Sequence, residues 1–254
     1  MNATSASHAR VSHAKVSASK VVRRFGGRFS AELGIDVASG DPAKVFQWFL
    51  AAILFGARIS ETVAIRTCGE FSRRRLLNPR SLLRRGWDGL VEALDAGGYV
   101  RYDFKTATKL LAVSKTLLDR YQGDLNRLHT AAIDSADLEQ KLKSLAKGIG
   151  DVTVNIFLRE LRGVWRKAEP LPSALVLTAA ADLRLLPRAL KNRRRSLEML
   201  QQAWIADGNR IESFPDFEAA LIRHGLELRR RASRSAPPQR SRGQRALVQM
   251  RLRD

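Results

Sequence analysis

Cysteine is nearly missing from this chain: Cys68 is the only one in 254 residues. That excludes an internal disulfide framework, a four-thiolate iron–sulfur cluster and a thiolate-rich zinc site, and it points to an intracellular setting. Long apolar runs are missing too. The longest, Val45 to Phe55, is interrupted by Gln47 and falls far short of a bilayer crossing. The first thirty residues lack the apolar centre of a signal peptide, so no membrane partner is expected and the location expected is cytoplasmic, on the nucleoid if the source is bacterial. No repeat of fixed period is visible, and no alternating run is long enough to build a sheet. His129 and His224 have no second ligand at metal spacing, so neither a metal nor another cofactor is expected.

Acid is the other shortage. Against 45 Lys and Arg there are 25 Asp and Glu, which leaves a net charge of +20. Such a surplus calls for a polyanionic partner and argues against the acidic surface of a small-molecule enzyme. Residues 1–25 hold five basic residues and no acid, and residues 229–254 hold nine against Asp254 alone, so about +7 remains on residues 26–228. The reading is a helical domain over 26–228 between two basic, flexible arms, 1–25 and 229–254. Pro237 and Pro238, set among Ser and Arg, support disorder in the second arm. Such arms either add salt-sensitive phosphate contacts or act as solubilising tails.

Between the arms the periodicity is helical. Asp41 and Pro42 form a cap followed by proline at the first helical position, and Val45, Phe46, Phe49, Leu50, Ile53 and Leu54 follow at helical spacing. A second helix begins at Ser60, and Asn78-Pro79 starts a third that ends at Gly97-Gly98. Helices follow over about 105–121, 135–146, 152–163, 173–186, 189–206 and 216–226. Short connections containing Gly or Pro suit an all-α domain, with a monomer as the expected state.

The most informative segment is 138–163. An amphipathic helix with Leu138, Leu142 and Leu145 runs into Gly148-Ile149-Gly150, and a second helix starts at once with Val152, Thr153, Ile156 and Phe157. Two glycines let a tight turn bring backbone N–H groups to a ligand, Ile149 can anchor the turn, and the helix N-terminus adds free donors. Lys141, Lys143 and Lys147 lie on the approach. Gly148, Gly150, Asp151, Lys147 and Lys143 are therefore candidate phosphate contacts. Arg159, Arg162 and Arg166, at i, i+3 and i+7 of one helix face, extend the candidate surface.

In these residues the chain resembles the helix-hairpin-helix DNA glycosylases, the superfamily of endonuclease III and the alkyl-adenine glycosylases. Phe46 to Val63 looks like that family's opening core helix and lesion-side loop, and Lys105 to Leu111 resembles the helix before the hairpin. The likeness covers about residues 41 to 225. It implies a bilobal all-α fold, duplex DNA as partner, damaged DNA included, and a base flipped into a pocket. It also gives Arg58, in the lesion-side loop, two readings: a residue that inserts into the stack, or a surface cap of the helix.

The departures are as specific as the match. Where the bifunctional branch carries a lysine that attacks the sugar, this chain has Val152, so no lyase activity is expected. The acid expected about twenty residues after the hairpin falls at Ser173 or Ala174, neither of which is acidic. Glu169, Asp182 and Glu160 are the nearest substitutes. Two functions remain open: a monofunctional DNA N-glycosylase, and a non-catalytic or architectural DNA-binding module on the same fold. A helical RNA-associated protein is a weaker third. Trp87, Trp165, Trp204, Tyr99 and Tyr102 read either as interhelical packing or as rings that meet bases.

Overall fold

The computed structural model describes residues 16–235, and within them every regular element is helical, with no strand. The first long element, α3 (Pro42–Phe55), starts where the sequence says it must. The Asp41 carboxylate accepts the Ala43 and Lys44 amides at 2.9 and 3.0 Å, and Pro42 takes the first helical position. Phe46, Trp48, Phe49, Ile53 and Leu54 are all buried, so α3 is the axis of the core. Each such side chain contributes about 1.5–3 kcal/mol by leaving water. Trp48 donates its indole N–H to the Phe157 carbonyl at 3.1 Å, which ties α3 to the second hairpin helix.

Capping also fixes the next elements. The Ser60 hydroxyl accepts from Val63 N–H ahead of α4 (Glu61–Arg73). Asn78 and Ser81 form a reciprocal capping box for α5 (Pro79–Ala96), which is broken at Gly86, where φ is +73°. Next come α6 (Asp103–Tyr121), α7 (Leu125–Ala131), α8 (Ser135–Lys143), α9 (Asp151–Glu160), α10 (Ala174–Asp182), α11 (Arg193–Ala206) and α12 (Phe214–Ser235). Helices α3 to α9 pack on one another in sequence order. The chain then returns, and α10, α11 and α12 gather with the N-terminal α1 (Ala18–Phe25). Helix α9 touches both groups, through α3 and α8 on one side and α12 on the other.

Several boundaries differ from the sequence expectation. The arm expected over 1–25 ends in α1, a packed helix with Ala18 and Val21 buried against the core. Asp207 holds its start, accepting from the Ser17 hydroxyl at 2.7 Å and the Ser19 amide at 2.9 Å. Its charge hid an amphipathic pattern of Ala18, Val21, Val22 and Phe25. The tail expected from 229 likewise begins inside α12, because Ala and Arg are good helix formers and no breaker stands before Pro237. The rest of both expected arms, 1–15 and 236–254, lies outside the described residues. Two short helices, α2 (Phe29–Glu32) and α7, were not expected at all. No helix among the described residues is long and apolar enough to cross a membrane.

Candidate nucleic-acid interface

The Gly148-Ile149-Gly150 turn joins α8 to α9 as a tight hairpin. Gly148 has φ +90°, a conformation that L side chains rarely adopt, and this turns the chain. Ile149 is 5 % exposed and pins the turn to the core formed with Leu138, Leu142 and Leu145. Gly150 is the N-cap of α9 with no side chain to satisfy the helix start. The N–H groups of Gly148, Gly150, Asp151 and Val152 donate to no group among the described residues, and all four residues are exposed. A Cβ built on Gly150 meets nothing within 4 Å, so the backbone there faces open space.

The lysines divide. Lys147 is exposed and makes no ion pair among the described residues. Lys143 reaches across the turn to the Asp151 carboxylate, and Lys141 pairs with Asp137 at 3.1 Å within α8. Lys109, on α6, was given no role by the sequence. Its side chain lies against Gly148, with Cε 3.1 Å from where a Cβ would stand, and burial lowers its pKa. The hairpin thus presents two lysines, Lys109 and Lys147, that have no carboxylate partner among the described residues, beside its free amides.

The arginine face expected after the hairpin is not there. Helix α9 ends at Glu160, so Arg162 and Arg166 leave the helical register before i+3 and i+7 can align. Arg159 and Arg162 are each 6 % exposed and point inward. Arg162 donates Nε to Glu218 Oε2 at 2.9 Å and an Nη to the Pro170 carbonyl, which locks α12 to the segment after α9. Neither residue can lie along a phosphate backbone, while Arg166 remains exposed.

Beside the hairpin, at the junction of the two helix groups, opens a cleft of about 1180 Å³. Its walls come from the loop after α3, the first turns of α9, the start of α10 and one face of α12. Gly56 makes this possible. A Cβ there would stand 2.3 Å from Thr153 Oγ1, so only glycine lets the end of α3 close onto α9. Arg58 follows it, exposed and on the cleft wall. Phe55, Ile59, Ile156, Leu171 and Leu175 supply apolar surface, and Arg159 reaches the cleft from α9.

None of the three substitute acids lines this cleft. Glu160 is fully buried and accepts the amides of Phe29 and Ser30, both at 2.9 Å, so it caps α2; burial pushes its pKa up. Glu169 is on the surface, paired with Arg194 at 3.2 Å. Asp182 Oδ2 accepts from His224 Nε2 at 2.7 Å, and Asp182 borders a separate groove of about 920 Å³ between α10 and α12. Ser173 and Ala174, where the family's acid would fall, do line the cleft. The carboxylates that reach it are Glu61, Glu139 and Asp151; of these the sequence singled out Asp151 alone, and as a phosphate contact of the hairpin.

The aromatics mostly resolve as packing. Tyr99 is 1 % exposed and donates its hydroxyl to the Leu54 carbonyl, so it cannot meet a base. Trp165 stacks on His129 at 4.8 Å, and Trp204 on Phe217 at 5.5 Å. Trp87 is partly exposed beside Phe104, with its indole N–H on Thr108. Cys68 is packed against the core, and burial raises its thiol pKa to about 12, so it is unreactive. Among the described residues no three metal-ligating side chains gather. No family model, no curated protein and no solved structure matches this chain.

Proposed function

We propose that the protein binds duplex DNA, gripping one strand through the Gly148-Ile149-Gly150 hairpin and receiving a displaced nucleotide in the neighbouring cleft. On this reading it is a DNA-repair protein of bilobal, helix-hairpin-helix glycosylase-like architecture. The observation that carries the proposal is the hairpin itself: four N–H groups at a helix start, on exposed residues and without an acceptor among the described residues, with Lys109 and Lys147 beside them. Backbone donors and a helix dipole suit a phosphate of any sequence, and the lysines add charge. The cleft at the junction of two helix groups, with Arg58 on its wall, supports the second half of the proposal.

Binding without excision is the favoured form. Cleavage of a glycosidic bond develops positive charge on the sugar, which a nearby carboxylate stabilises. The cleft offers Ser173 and Ala174 at the position where the family carries that group, and Val152 where a lyase lysine would stand. Hydrolytic excision remains as a second reading because Glu61, Glu139 and Asp151 border the same cleft. The test is a set of duplexes with single alkylated, deaminated or oxidised bases, scored separately for binding, base release and strand nicking. Tight binding with no release supports the module. Release without nicking, abolished in Glu61→Gln or Asp151→Asn, supports the glycosylase. Failure to bind any duplex refutes both.

A further inference from the structure

Arg159 sits on α9 with 6 % of its surface exposed, and that surface faces the cleft. A buried guanidinium ordinarily has its charge and five N–H groups matched. Arg159 makes no hydrogen bond and no ion pair among the described residues, and its Nε is buried without a partner. Both carboxylates near it are already taken: Glu160 by the amides of Phe29 and Ser30, and Glu218 by Arg162. Those two carboxylates still attract its charge through space, and its guanidinium carbon lies 5.2 Å from the Phe29 ring. The burial is strong enough to lower its pKa. A buried donor group at a cleft wall, with no hydrogen-bond acceptor among the described residues, is a place that an acceptor on a ligand can fill.

The cleft restricts which acceptor. Phe55, Ile156 and Leu175 give it apolar surface that suits a flat heterocycle. Its charge is positive. Arg58, Arg159, Arg193, Arg229 and Arg230 line it against three carboxylates: Asp151 is held by Lys143, Glu61 lies 3.8 Å from Arg230, and Glu139 has no ion pair among the described residues. A cationic N-alkylpurine would be repelled there. Adenine would set its N6 amino donor against a group that can only donate, and a neutral 6-oxopurine instead presents two adjacent acceptors, O6 and N7, the pair that a guanidinium reads best.

We propose that Arg159 is the specificity-determining residue of the cleft and selects a neutral 6-oxopurine, such as hypoxanthine, through its O6 and N7 acceptors. The proposal rests on the duplex-binding reading above, and its test separates the two. The full chain is titrated against matched duplexes carrying one central deoxyinosine, 7-deazadeoxyinosine, 7-methylguanine or no modification. Deoxyinosine is expected to bind about tenfold or more tighter than its 7-deaza analogue, which lacks one acceptor, and tighter still than cationic 7-methylguanine. Arg159→Leu should erase that preference and keep the affinity for unmodified duplex. Equal binding of deoxyinosine and 7-deazadeoxyinosine, or a preference for 7-methylguanine, overturns the assignment, and so does a folded Arg159→Leu protein that still discriminates. The 7-deaza comparison changes only the DNA, so it decides even if the variant fails to fold. Absence of binding to unmodified duplex as well would instead sink the duplex reading, and this inference with it.

Discussion

Replacing Gly150 by valine separates a phosphate-binding hairpin from an ordinary helix corner. Gly150 has φ −115° and ψ −177°, an extended conformation open to any residue, and an added Cβ meets nothing within 4 Å. Two small effects on the fold oppose each other. Valine is a poorer N-cap than glycine, by up to about 1 kcal/mol, and it reduces the freedom of the unfolded chain by about 0.4–1 kcal/mol. The melting temperature should therefore move by no more than about 4 °C. Binding is another matter, because the new methyl groups stand where a phosphate must approach the amides of Gly150, Asp151 and Val152. Losing one or two hydrogen bonds to a charged group, at about 1.5–3 kcal/mol each, lowers duplex affinity at least tenfold. Fluorescence anisotropy with a labelled duplex reads the affinity, and circular dichroism reads the melt. A Gly150→Val protein with an unchanged melt and unchanged affinity would refute the hairpin reasoning.

Glu160→Gln tests the structural role of that residue: Gln keeps one acceptor but turns an amide donor toward the Phe29 or Ser30 N–H, so thermal melts should show a loss of about 1–3 kcal/mol, whereas a catalytic acid would leave stability alone. His129 has its pKa lowered by burial and by Lys167, so the folded state favours the neutral ring. The stability this contributes is present above the ordinary histidine pKa of about 6.5 and is lost as pH falls through the lower folded value. Melting temperature should accordingly drop as pH falls below about 6.5, and His129→Gln should flatten that slope. Removing residues 1–15 and 236–254, and leaving α1 and α12 whole, should preserve the helical signal while reducing the logarithmic salt slope of duplex binding by about one per lost phosphate contact. Equal slopes would show that these residues do not touch DNA. Borohydride should trap no covalent adduct with an abasic duplex, since Val152 cannot form a Schiff base.

Local signals carried the reading of the fold. The caps at Asp41, Ser60 and Asn78 each start a helix where the sequence puts them, because a cap is a contact between residues two or three apart. The hairpin was legible for the same reason: Gly148, Ile149 and Gly150 determine their own turn. What failed depends on partners far along the chain. Glu160 reads as a possible acid until Phe29 and Ser30, about 130 residues away, are seen to occupy it. Arg162 reads as a DNA contact until Glu218 on α12 claims it. The end of α9 at Glu160 removes the helical register on which the arginine face relied. Nothing near Gly56 in the chain signals its role, because it is closeness to Thr153, far along the sequence, that sets the loop after α3 beside the hairpin.

The central claim is that the hairpin amides meet DNA. Amide chemical shifts of nitrogen-labelled protein, followed as unmodified duplex is added, test it most directly. The account predicts that the Gly148, Gly150, Asp151 and Val152 signals move first and furthest, because their N–H groups exchange water for phosphate oxygen. Shifts confined to other parts of the chain, with these four signals unmoved at saturation, would contradict it.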